Sequence, residues 1–91
     1  MPYIKREDRA QYQDVIARLA GMIPKDAKSR AGHFNYVVSL LIEKTYGTQI
    51  RYADHNEIMG VLTCIALEFY RRKTAPYEDI KVKEEGDLSE L

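Results

Sequence analysis

Two histidines, one cysteine, seven tyrosines and fourteen lysines and arginines are the residues of this 91-residue chain whose types could do chemistry. His33 and His55 are the natural candidates for metal binding, but a helical zinc pair needs a second ligand three or four residues away. The nearest companion is Met59, four residues after His55, and a thioether is poorly matched to zinc. Cys64 would be a nucleophile only beside a base or at a helix N-terminus. It sits in the middle of a helical pattern, where a packing role in the core is expected. Ser29 and Ser39 lack the sharp turn that presents a nucleophilic hydroxyl. The segment GMIPKDAKSRAG lacks the Gly-Lys-Ser/Thr ending of a phosphate loop. No catalytic residue, no metal and no cofactor is therefore expected, and the chain does not read as an enzyme.

Tyrosine is the unusual feature, because there are seven and no tryptophan. A phenol ring offers a large contact area and one hydrogen-bonding tip, which suits interfaces. Beside arginine and lysine it also suits stacked bases and phosphates. Three clusters of this kind occur. Tyr3 lies near Lys5, Arg6 and Arg9; Arg30 and His33 lead into Asn35 and Tyr36; and Tyr70, Arg71 and Arg72 precede Tyr77. The candidate ligand-binding residues are Tyr3, Arg6, Arg9, Asn35, Tyr36, Tyr70, Arg71, Arg72 and Tyr77. The competing reading gives each cluster a structural task, as a helix cap or a subunit contact.

The elements that would carry these clusters follow from hydrophobic period. Tyr12, Val15, Ile16, Leu19, Ala20 and Ile23 recur at the spacing of one helical face, and Pro24 stops the run. Helix 1 is predicted at about residues 6–22. HFNYVVSLLIEKTYG is apolar around most of a helical circumference and predicts helix 2 at about 32–46, ended by Gly47. Asp54 and Glu57 have the spacing of a capping box. They open helix 3 at about 55–73, with Ile58, Val61, Leu62, Ile65, Ala66 and Phe69 inward. Pro76 restarts a short helix at about 76–84, Gly86 ends it, and 85–91 is expected to be a frayed acidic tail. The expected fold is all-α: a small antiparallel three-helix bundle, plus the short C-terminal helix, in a single domain. Helices 2 and 3 carry more apolar surface than such a bundle covers by itself, which predicts a homo-oligomer.

Composition excludes several classes. With 45% apolar and 31% charged residues the chain is globular rather than disordered. The longest apolar stretch falls far short of the ~20 residues that span a bilayer, so no membrane association is expected. The opening MPYIKREDR has charge without an apolar segment, so no secretory signal is expected. A single cysteine fits a reducing compartment, and the expected location is cytoplasmic. The formal net charge is zero, but residues 1–74 carry +4 and residues 75–91 carry −4. That body suits a small anionic ligand; duplex nucleic acid, which needs a dense basic stripe, is not expected.

Four stretches, MPYIKREDR, GHFNYVV at 32–38, NEIMGVLTC at 56–64 and YRRKTAPYED followed by KEEGD, resemble one small uncharacterised protein family encoded by phages, prophages and some prokaryotic genomes. The resemblance spans nearly the whole chain and includes Tyr3, Arg6, Asp8, Arg9, Asn35, Tyr36, Arg71, Arg72, Pro76, Tyr77, Glu78 and Asp79. His33 and Thr63 depart from it, standing where the family commonly has an acidic residue and Glu. The resemblance implies a helical, intracellular protein without an established activity. Two readings of function result. One is an oligomeric sponge for a small anionic (cyclic) nucleotide immune signal, present in the host cytoplasm if the chain is phage-encoded. The alternative is an adaptor or inhibitor that binds a host or phage protein through helices 2 and 3.

Overall fold

The computed structural model describes residues 3–89. Met1 and Pro2 of the family-like opening, and Glu90 and Leu91 of the expected tail, lie outside the described residues. Within them the chain is all helical, as the period predicts. It has α1 (Ala10–Met22), α2 (Ala27–Tyr46), α3 (Tyr52–Phe69) and a short C-terminal α4 (Ala75–Glu85). The chain divides into two units, Tyr3–Ile58 and a second that includes Met59–Leu91, with the division inside α3.

In the first unit, an extended arm enters a 3-10 turn at Arg6–Asp8 before α1 begins. The predicted start at residue 6 is therefore a tighter turn, not yet an α-helix. Arg9 fixes the arm, because its Nε and Nη2 both donate to the carbonyl of Ile4 at 3.1 and 3.0 Å. α1 stops where Pro24 requires it: Ile23, the residue before the proline, is extended at φ −76°, ψ 128°. Lys25 turns back to donate from Nζ to the carbonyl of Ala20 at 2.7 Å, satisfying one of the free carbonyls at the helix end.

α2 begins five residues earlier than its apolar pattern indicates. Asp26 is the N-cap, and its carboxylate accepts from the backbone N–H of Ser29 at 3.1 Å. The polar stretch after it is thus the solvated first turn of a helix rather than a loop. At the other end Gly47 has φ 83° and ψ −173°, a region open essentially to glycine alone. α3 also starts early. Arg51 occupies the cap, and Asp54, predicted as the cap residue, sits at the third helical position and accepts from the Arg51 backbone N–H at 3.1 Å. That is the reverse half of a capping box.

In the second unit the chain does not break before Pro76. Residues Tyr70–Thr74 widen into a π-helical turn that joins α3 to α4, and the Ala75 N–H donates to the carbonyl of Tyr70 five residues back. In a regular α-helix the proline ring would collide with the Arg72 carbonyl. The wider turn relieves that collision and keeps the helix continuous. Gly86, at φ 87°, then ends α4.

No described residue is buried. Residues predicted to face inward are open in the single chain: Ile16 is 60% exposed and Phe69 62%. Cys64, expected in a core, is also exposed. Within the single chain, local devices set the helix ends and joints, and the Asp26 cap is the simplest to remove. Asp26→Ala is expected to lower stability by about 1 kcal/mol, which appears in thermal denaturation as a melting temperature reduced by roughly 4–8 °C. Asp26→Asn keeps an acceptor oxygen and is expected to lose only a fraction of that. An unchanged melting temperature for Asp26→Ala contradicts the cap assignment.

Candidate functional site

The three tyrosine–cation clusters form two groups of different character. In the first unit Tyr3 and Arg6 lie on the arm and the 3-10 turn, and both are exposed. Arg9 belongs to the same cluster, but its guanidinium is committed to the Ile4 carbonyl. It positions the arm and offers a ligand little. Asn35 and Tyr36 are adjacent in sequence, yet helical geometry sends successive side chains about 100° apart. Asn35 Oδ1 accepts from Ser39 Oγ at 3.3 Å on one side of α2. Tyr36 instead lines a shallow groove with Leu19 of α1 and with Val37, Leu40, Leu41 and Lys44 of α2.

In the second unit Tyr70, Arg71, Arg72 and Tyr77 share the π turn and the start of α4. The two arginines of this stretch share one carboxylate. Glu68, whose side chain is 25% exposed, accepts from Arg71 Nη2 at 2.7 Å and also from Arg72 Nε. These are three- and four-residue helical pairs with the acid on the N-terminal side, the favourable order. Tyr70 donates its hydroxyl to Glu78 Oε1 at 2.6 Å, a bond that spans the π turn. Lys81 Nζ stands 5.8 Å from the centre of the Tyr77 ring, within cation–π range. Tyr70 and Glu78 also line a shallow depression with Asp79, Glu85 and Asp87.

A second tyrosine–glutamate bond was not foreseen. Tyr46, the last residue of α2, donates to Glu57 Oε2 of α3 at 2.6 Å and bridges the Gly47–Arg51 connection. Sequence spacing gives no sign of it, because the two residues are eleven apart across a turn. The role of Glu68 was missed, although acids three and four residues before two arginines are standard helical partners and could have signalled it. The groove on α2 was legible only in part: Tyr36, Leu40 and Lys44 mark one line at four-residue spacing, but the contribution of Leu19 requires the fold.

Both bridging tyrosines titrate above their ordinary value of 10.0. For Tyr46 the main cause is the hydrogen bond to Glu57, and for Tyr70 it is the hydrogen bond to Glu78. A phenolate would lose that bond and face a carboxylate. Among the described residues no group of three His, Cys, Asp or Glu side chains is placed to hold a metal ion, and no helix is long and apolar enough to cross a membrane.

A family model described as Domain of unknown function (DUF6899) matches residues 1–88. No curated protein and no solved structure matches the chain.

The raised tyrosines predict an alkaline signature. A raised folded-state value means that their stabilising contribution is complete below pH 10 and is lost as pH rises from 10 through the folded values. Chemical denaturation of the wild type and of a Tyr46→Phe, Tyr70→Phe double variant is expected to show a stability gap that is constant near neutrality and closes above about pH 10. A gap that persists unchanged through strongly alkaline pH contradicts the bridging role.

Proposed function

The chain belongs to the family described as Domain of unknown function (DUF6899), and from that premise we propose a non-enzymatic binding protein that works as a homo-oligomer. One observation carries this reading. The single chain exposes 8588 Å², whereas a folded monomer of 10.6 kDa exposes roughly 5,500 Å². The excess, about 3,000 Å² per chain, is more than the ~1,000–2,500 Å² that each partner covers in obligate subunit interfaces. It includes apolar side chains on all four helices, among them Ile16, Phe34, Leu41, Ile65, Phe69 and Ile80. Zero net charge removes long-range repulsion between copies.

The ligand that this reading assigns is a small anionic nucleotide, of the cyclic kind that serves as an immune signal, sequestered in the cytoplasm. Its support is the resemblance to phage-encoded proteins, the +4 charge of residues 1–74, and the pairing of Tyr70 and Tyr77 with Arg71 and Arg72 on one short stretch of helix. An incoming phosphate would take the place of Glu68 as the partner of the two guanidinium groups. Tyrosine rings offer faces on which a base stacks. A second reading, an adaptor that binds a host or phage protein, is favoured by the apolar groove on α2 and by the internal pairing of both arginines with Glu68. Duplex nucleic acid is not supported by a neutral chain.

Native mass spectrometry of protein purified from infected, defence-active cells is expected to give a multiple of the 10.6 kDa chain with added mass in the nucleotide range. A panel of cyclic di- and oligonucleotides should contain one that raises the melting temperature, with stabilisation of roughly 2.7 kcal/mol at a hundredfold excess over its Kd. Arg71→Ala and Arg72→Ala should abolish that shift without unfolding the protein. An oligomer that responds to no nucleotide removes the ligand and favours the adaptor. A monomer removes the oligomeric reading.

A further inference from the structure

The self-association proposed above does not by itself say which surface is shared. From the groove on α2 we infer that the first contact between copies is an antiparallel pairing of two α2 helices about a two-fold axis near Leu40 and Leu41. This inference rests on the homo-oligomeric reading. The groove is lined by Leu19, Tyr36, Val37, Leu40, Leu41 and Lys44. Five of those residues lie on α2 at positions 36, 37, 40, 41 and 44, which is the spacing of one continuous stripe on a helix. Three of them, Val37, Leu40 and Leu41, are aliphatic and central. The two outer ones, Tyr36 and Lys44, are amphipathic.

The occupant follows from that order. A two-fold interface is self-complementary, so each part of the stripe must suit its own counterpart. With the axis at the middle of the stripe, an antiparallel copy places its aliphatic centre on the aliphatic centre. It then brings each Lys44 against Tyr36 of the second copy, an ammonium against a ring face. A parallel copy would set Lys44 against Lys44 and lose that attraction. The lysine stem also covers apolar surface while its charged head stays at the rim. Tyr36 is 65% exposed and Leu41 60% in the single chain, so both have surface to lose. The excess surface of about 3,000 Å² per chain leaves room for this contact and further ones, which suits a second copy better than a short peptide.

Single-cysteine crosslinking in a Cys64→Ser background tests the pairing. Disulfides form only where Cα atoms come within about 7 Å, and Leu41 lies beside the axis. Lys28, also exposed on α2, lies about 18 Å from the axis along the helix, so its two copies stand roughly 36 Å apart in an antiparallel pair. Under mild oxidation Leu41→Cys is expected to form a disulfide-linked dimer about ten times faster than Lys28→Cys, given that geometry. Light scattering under reducing conditions supplies the masses of the wild type and both variants. Equal crosslinking at both positions, or none at either, with an oligomeric wild type overturns the antiparallel α2 contact and leaves self-association elsewhere on the chain. A monomeric wild type overturns both.

Discussion

Hydrophobic burial is the largest favourable contribution to folding, and it operates only when apolar surface leaves water. Here the apolar residues are present at helical spacing, yet none of the described ones is buried in the single chain. Most helical stability in proteins comes from tertiary packing of an amphipathic face rather than from propensity, and α1, at 13 residues, is short enough to be marginal by itself. On the homo-oligomeric reading, these helices require that this apolar surface be covered by a second copy. Oligomerisation is the simplest way for a small domain to meet that requirement, and it is where the functional proposal starts.

What the single chain does supply is control of its joints. Between α1 and α2, Pro24 sets the bend, Lys25 satisfies a carbonyl of Ala20, and Asp26 caps the next helix. Between α2 and α3, Gly47 takes a backbone conformation reserved for glycine, while Tyr46 reaches over the turn to Glu57. Between α3 and α4, the π turn accommodates Pro76 and Tyr70 reaches over it to Glu78. Two of the three joints thus use the same tyrosine–glutamate bond. π-helical turns inside α-helices frequently mark functional positions, and this one carries the Tyr70–Arg72 cluster.

Much of the fold was legible in the sequence because it depends on local rules. The number of helices, the stop at Pro24 and the stops at Gly47 and Gly86 follow from period and backbone freedom. The helix starts were less legible, since the first turns of α2 and α3 are polar and carry no periodic signal. Asp26 was available as a cap signal, whereas reading Asp54 as the cap placed the start of α3 three residues too late. Pro76 was taken as a break because proline ordinarily is one; the π turn depends on how neighbouring carbonyls yield, which sequence does not display. The candidate residues show the same limit. Adjacency suggested that Asn35 and Tyr36 act together, but the helix sends them to different sides. Arg71 and Arg72 were read as available cations, yet Glu68, only three and four residues away, holds both.

The central claim is that folding and association are coupled, and sedimentation velocity with circular dichroism across a dilution series tests it most directly. The account predicts a species at a multiple of 10.6 kDa that dissociates on dilution, with helical signal and melting temperature falling as it does so. A 10.6 kDa monomer that keeps its full helical signal and melts cooperatively at a temperature independent of concentration would contradict it.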